Sequence, residues 1–185
     1  SRLLMLQSTP AVDQLIMNDF ARVMALAVDL AALEGSGASG QPSGISVTAG
    51  IGSVTGTSLA LAGIMEFQSD VATGNALTPN SAYLTTPAIA SLLSQRARIT
   101  STDSVTLWKG NILEGTVEGF RGRTTTQVTA ASMTFGDFEQ VVIAEWGFLE
   151  IAMNPYANFV SGISGIRAMQ SVDVGVRQAA AFSRA

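Results

Sequence analysis

Glu114 and Glu118 are the residues whose type and spacing come nearest to catalysis. On a strand, positions four apart share a face. A pair of carboxylates facing one bond can divide acid and base duties, as it does on glycosidic bonds. Little other chemistry is open, because the chain has no histidine and no cysteine. Serine–histidine triads, imidazole proton shuttles, histidine- or cysteine-based zinc sites, thiolate nucleophiles and disulfides are therefore excluded. The blander reading of Glu114 and Glu118 is two solvated glutamates on a strand, which is far commoner. Trp108 and Trp146 have the ring type that stacks on sugars, but such residues serve more often as core or interface anchors. Lys109, the single lysine, is the only amine available as a base.

Two glycine patterns imitate nucleotide sites. Gly35-Ser-Gly37-Ala-Ser-Gly40 matches the dinucleotide fingerprint letter by letter. That motif works only between a strand and a helix N-terminus, where backbone N–H groups meet a pyrophosphate. Here the pattern before it is helical and Pro42 follows, so it reads as a helix-terminating loop. Gly50-x-Gly52 with Gly56 is better placed, yet no Lys-Ser/Thr follows, and Glu66 and Asp70 come too early to hold a ribose. No catalytic, cofactor-binding or metal-ligating residue is expected.

The elements that would position these residues begin with a helix from about Pro10 to Leu33. Ser8-Thr9-Pro10 supplies a hydroxyl cap and a proline at the first turn, and Asp13 complements the dipole. Val12, Ile16, Phe20, Val23, Ala27, Leu30 and Leu33 recur at three and four, predicting one apolar stripe. Such a helix is about 36 Å long. Beyond the glycine loop, the pattern predicts a short strand and turn over Val47 to Gly56, a helix over Thr57 to Thr73, a strand at Tyr83-Leu84-Thr85 and a helix after Pro87. Residues 105 to 128, with Gly115, Gly119 and Gly122, suit irregular strands. Glu139 to Trp146 and Phe148 to Met153 read as two strands hinged at Gly147 and closed by Asn154-Pro155-Tyr156. Ile166, Ala168, Val172, Val174 and Val176 alternate with Arg167, Ser171, Asp173 and Arg177, the mark of a half-buried antiparallel strand.

Composition bounds the function further. Charged residues make up 13% of the 185, about half the usual share, and none occurs from Gly35 to Met65 or from Val71 to Gln95. Charge is depleted in the cores of protein interfaces, so these stretches either meet other protein or rely on Ser, Thr and Gln for solubility. Net charge is −4. The most basic segment holds Arg96, Arg98, Lys109, Arg121 and Arg123 against Asp103, Glu114 and Glu118, too dilute for a nucleic-acid reader. About half of Ile45 to Met65 is Gly, Ser or Thr, which disfavours a membrane span.

In order along the chain these features resemble the major capsid protein of tailed double-stranded DNA bacteriophages, the Hong Kong 97 fold. The resemblance begins at Leu26-Ala-Val-Asp29-Leu-Ala-Ala-Leu33-Glu-Gly35-Ser-Gly37 and continues through Gln41-Pro42-Ser-Gly44-Ile45 and Tyr83-Leu-Thr-Thr-Pro87. It is densest in Phe135-Gly136-Asp137-Phe138, Val141-Val-Ile-Ala-Glu145-Trp146-Gly147, Asn154-Pro155-Tyr156, Ile166-Arg167-Ala168, Asp173-Val-Gly-Val-Arg177 and Ala181-Phe182.

The resemblance implies an α+β chain in which residues 1–40 form the spine helix of a peripheral domain, 41–145 an axial domain, and 146–185 strands returning to the peripheral domain. It implies a phage or prophage shell subunit that assembles with itself into hexamers and pentamers around packaged DNA, without sequence-specific binding, membrane contact or cofactor. Scaffold, maturation protease and portal are the further partners it suggests, and the virion, assembled in the bacterial cytoplasm, the location. In that family an N-terminal arm and an extended loop precede the spine helix. Ser1-Arg2-Leu3 opens without them, so they are expected upstream. Some relatives cross-link through a lysine on that loop; Lys109 lies elsewhere, and no cross-linking role is transferred to it. An encapsulin-like compartment shell, a carboxylate-dependent hydrolase using Glu114 and Glu118, and a tail or adhesion module with exposed tryptophan are the alternative readings.

Overall fold

The structure is a computed structural model describing residues 11–57, 59–99, 105–161 and 163–185. It divides into two compact units: the chain through Asp29 with Ile143–Asp173, and Leu30–Val142 with Val174–Ala185.

The second unit is built on a seven-stranded sheet. Its strands are β1 (Gly52–Ser53), β2 (Ala82–Thr85), β3 (Trp108–Gly110), β4 (Glu114–Val117), β5 (Phe120–Thr124), β6 (Met133–Gly136) and β9 (Phe182–Arg184). They lie in the order β1-β9-β6-β2-β5-β4-β3. Helix α2 (Leu61–Thr73) packs on the β1, β9 and β6 end, and α3 (Pro87–Gln95) lies against β3. Thr86 caps α3 by accepting from the Ile89 N–H, with Pro87 in the first turn. Ile64, Phe67 and Val71 from α2 meet Tyr83, Phe135 and Phe182 of the sheet in one buried cluster. Tyr83 is its polar pin: its hydroxyl donates to the Ile64 carbonyl and accepts from Gln68 Nε2, each at 3.0 Å.

The glycines of the β3–β4–β5 end serve packing more than irregularity. Gly115 and Gly122 are cross-strand partners, and Trp108 lies across both. A Cβ on Gly115 would stand 2.7 Å from Trp108 Cε2, and one on Gly122 2.6 Å from its Cζ3. The pair forms a slot for a fully buried indole whose Nε1 donates to the Asn111 carbonyl at 2.8 Å. Gly119 (φ +92) and Glu118 (φ +43) are the two central residues of the β4–β5 turn between Val117 and Phe120. Positive φ at both positions gives the primed turn that suits a two-residue hairpin.

Helix α1 (Ala11–Glu34) agrees with the predicted spine, while its expected cap at Ser8-Thr9-Pro10 lies outside the described residues. Ile16 and Phe20 are half-buried as expected, and Met24 and Val28 continue that row, whereas Val23, Ala27 and Leu30 are exposed. The half-buried row thus advances strictly by four, and the exposed side of the helix is also apolar. In the last turn, Glu34 Oε1 accepts from the Thr129 N–H at 2.9 Å and from Arg184 Nη2 at 2.7 Å, tying the helix end to β9 and to the loop before β6. Burial alone would raise the Glu34 carboxyl; the Thr129 and Arg184 bonds outweigh it and hold the group below its ordinary value.

Three expected boundaries move. The segment Val47 to Gly56 is a 3-10 turn (Ile45–Val47) followed by the two-residue β1. The second helix begins at Leu61, not Thr57, because the chain before it runs along β9: Val54 donates to the Arg184 carbonyl and Gly56 packs on Ala185. The two strands expected about Gly147 are one, β7 (Val141–Asn158), paired with β8 (Ile163–Val176) in a two-stranded sheet. Gly147 does take φ +77, but the strand continues past it and through Asn154-Pro155-Tyr156. Proline is tolerated because a two-stranded ribbon consists of edges.

Candidate assembly surface

The sequence-predicted chemical residues do not converge. Glu114, exposed on β4, is paired with Arg123 at 2.9 Å. Glu118 occupies the turn instead of the strand face expected for it, and its carboxylate is 2.8 Å from Arg98. Each acid is taken up by its own arginine, which leaves no facing pair. Gly35 closes α1: a Cβ there would strike the carbonyl oxygens of Ala31 and Pro42. The Gly35–Gly40 loop follows a helix C-terminus, the wrong end of the dipole for a phosphate. Gly52 makes room for Ser183, whose Oγ donates to Asp70 Oδ2 at 2.9 Å. Trp108 is a core residue, Trp146 stands 58% exposed in the other unit, and Lys109 is exposed on edge strand β3. Among the described residues no group of His, Cys, Asp or Glu could hold a metal ion, and no helix is long and apolar enough to cross a membrane.

What the structure concentrates is apolar surface. Every buried hydrophobic residue belongs to the unit holding the seven-stranded sheet; among described residues of the other unit none is buried. That other unit instead exposes Leu15, Met17, Val23 and Leu26 on α1, and Trp146, Phe148, Met153, Tyr156 and Met169 on the β7–β8 hairpin. Phe148 is 96% exposed. A groove of about 620 Å³ runs among Met24, Trp146, Phe148, Glu150 and Met169. On β8 the predicted alternation holds: Ile166, Ala168, Val172 and Val176 are half-buried and Val174 buried, against exposed Arg167, Ser171 and Asp173. An isolated two-stranded ribbon is marginal in water, and apolar patches of this extent mark interaction sites. The sequence signal that could have located the surface is β7 itself, where large apolar residues crowd both faces of the strand (Trp146, Phe148, Leu149, Ile151, Met153) with Glu150 the one charge among them.

The chain is 27% identical over 184 residues to the major capsid protein of Halomonas phage phiHAP-1, covering 99% of this chain and 30% of that protein. The chain thus spans less than a third of that curated relative. Among solved structures, the capsid of a native GTA particle superposes with a TM-score of 0.72 at 19% identity, over 100% of this chain and 68% of that one. The empty GTA particle gives 0.70 at 20%, over 100% and 67%. A Mycobacterium phage Che8 structure gives 0.62 at 12%, over 98% and 65%. The fold is therefore the α+β Hong Kong 97 type. A family profile described as the phage capsid family matches residues 1–185, and the chain belongs to that family.

Proposed function

We propose that this chain is the C-terminal portion of a phage or prophage major capsid subunit, which joins copies of itself as hexamers and pentamers of an icosahedral shell. The observation that carries the reading is the unit of the chain through Asp29 with Ile143–Asp173, which exposes Phe148, Trp146 and Met153 and has no buried residue among those described. A soluble monomer gains nothing from such a surface, whereas a shell subunit covers it with neighbours. In this reading the hairpin unit is the peripheral domain and the seven-stranded unit the axial domain. An N-terminal arm and extended loop belong upstream of α1. Scaffold, maturation protease and portal are transient or special-position partners. A chain of net charge −4 encloses double-stranded DNA without gripping it, in a virion assembled in the host cytoplasm. The paired states of Glu114 and Glu118 argue against the hydrolase alternative. Expression of the complete coding sequence followed by negative-stain electron microscopy tests the reading: rings or shells are expected, and small monodisperse monomers alone would overturn it.

A further inference from the structure

Within the seven-stranded unit, once the ion pairs Arg98–Glu118, Arg123–Glu114 and Arg184–Glu34 are set aside, the two ends of the sheet carry charges of opposite sign. At the β3–β4–β5 end, Lys109, Thr116 and Arg121 are aligned cross-strand partners, with Glu114 and Arg123 the next aligned pair on the same face. All five side chains are exposed. Arg123 is taken by Glu114, which leaves Lys109 and Arg121 as the charges of this face with no ion pair among the described residues. At the other end α2 covers β1, β9 and β6. Glu66 and Asp70 on that helix are the only charged residues between Gly35 and Gln95. They stand four apart and so share a face. Glu66 is exposed; Asp70 is half-buried and accepts from Ser183. Elsewhere in this unit, exposed Arg177 and Glu139 contribute one charge of each sign.

We infer that these two ends meet between successive copies, the Lys109–Arg121 row of one subunit facing the Glu66–Asp70 face of α2 on the next. The inference rests on the capsid reading and deepens it. A unit with opposite charge at opposite ends of a sheet cannot pair isologously through those ends, because like would face like. It fits a heterologous, head-to-tail contact, the kind that closes rings. Packaged DNA is the poorer occupant of the basic row. Two cations beside a carboxylate release few counterions, whereas they match two carboxylates in number. Charges in this setting steer encounter and fix partner orientation.

The experiment uses the complete coding sequence and reads shell yield by sedimentation and negative-stain microscopy. Lys109→Glu with Arg121→Glu should lower yield about tenfold at 0.1 M salt, where exposed charges interact over about 10 Å. Glu66→Lys with Ser69→Lys, both exposed positions, should do the same. All four together should restore the yield, since the complementarity is regained with reversed sign. Circular dichroism of each variant should remain that of the parent. Parent shells that form while both paired reversals assemble normally would overturn the inference and leave the capsid reading standing, as would two failures with no rescue in the combined chain. Reversed-row shells that assemble fully but retain less DNA would assign the row to nucleic acid instead. A parent that never assembles removes the capsid reading, and this inference with it.

Discussion

Gly122→Ala should destabilise the seven-stranded unit, and the sign of the effect is diagnostic. The added Cβ would stand 2.6 Å from Cζ3 and 2.7 Å from Cη2 of Trp108, where carbon atoms rest at about 3.5–4.0 Å. Nearly an ångström of overlap must be absorbed. The indole has little freedom to yield, being 1% exposed, tied through Nε1 to the Asn111 carbonyl at 2.8 Å, and backed by Gly115 under its other ring. Overpacking of this kind costs about 1–3 kcal/mol, and a displaced indole forfeits roughly a further 1 kcal/mol of hydrogen bonding. For a chain of this size that amounts to a fall in Tm of about 4–16 °C. Gly122 does not have positive φ, so without the slot the same substitution should be neutral or stabilise by about 0.4–1 kcal/mol through the unfolded chain. Urea unfolding followed by fluorescence in a Trp146→Phe background makes Trp108 the sole reporter. In a Trp108→Leu background the cost of Gly122→Ala should shrink by at least about 1 kcal/mol, the coupling expected of residues in contact. A neutral or stabilising Gly122→Ala in the parent would refute the slot.

Three further outcomes follow from other contacts. Glu34→Gln should cost about 1–3 kcal/mol, because the lost carboxylate serves both Thr129 and Arg184 with its side chain only 14% exposed. Since the folded group titrates below its ordinary value, its contribution is complete above the unfolded pKa of about 4.3 and is lost as pH falls through the folded value. Acid unfolding curves of parent and variant should therefore converge toward low pH. Burial, and secondarily the nearby Glu118, raise the Tyr83 hydroxyl above the tyrosine range, only partly opposed by the Gln68 bond. Its contribution is full below the unfolded pKa of about 10 and is lost as pH rises toward the folded one. In a Tyr156→Phe chain, absorbance at alkaline pH should register ionisation only together with unfolding. Phe148→Ser with Trp146→Ser should leave unfolding of the seven-stranded unit within about 0.5 kcal/mol, since neither side chain is buried, while abolishing shells in the microscope.

The spine helix, the α3 start at Thr86-Pro87 and the β8 alternation were legible because each is written locally, in caps and periods of 3.6 or 2. What was not legible depends on partners far along the chain. No local signal could say that Phe182–Arg184 would pair with both β1 and β6 and so delay α2 to Leu61. Nor could it say why position 136 in β6 is glycine, where a Cβ would strike the Ala181 carbonyl and the Phe182 ring. Glu118 looked like a strand residue because the turn it occupies, Glu118-Gly119, carries only one of the glycines that positive φ usually demands. The candidate acid pair failed for the same reason. Spacing of four on a strand places two carboxylates on one face only if the strand lasts that long, and β4 ends at Val117.

The charge-free stretches offered two readings, surfaces covered by other protein or surfaces kept soluble by Ser, Thr and Gln, and the structure places much of them in neither. Ile45, Val54, Ile64, Val71, Tyr83, Ala90 and Leu93, all within or beside those stretches, lie in the core of their own unit. The exposed apolar residues gather mainly in α1 and the hairpin, in segments that do carry charge: Asp19 and Arg22 on the helix, Glu145, Glu150, Arg167 and Asp173 on the strands. Charge is depleted in segments that build the core of the seven-stranded unit, whereas a few charges persist among the large exposed apolar side chains of α1 and the hairpin. That mixture is what reversible, oriented association requires: the apolar area drives contact, and the scattered charges exclude wrong registers. A surface as apolar as the core would bind neighbours in any orientation. It follows that replacing Glu150, which lines the groove beside Trp146 and Phe148, with Leu should strengthen association and degrade its geometry, giving irregular aggregates in place of closed shells. Glu150→Leu particles as uniform as the parent's would show that the charge has no part in register.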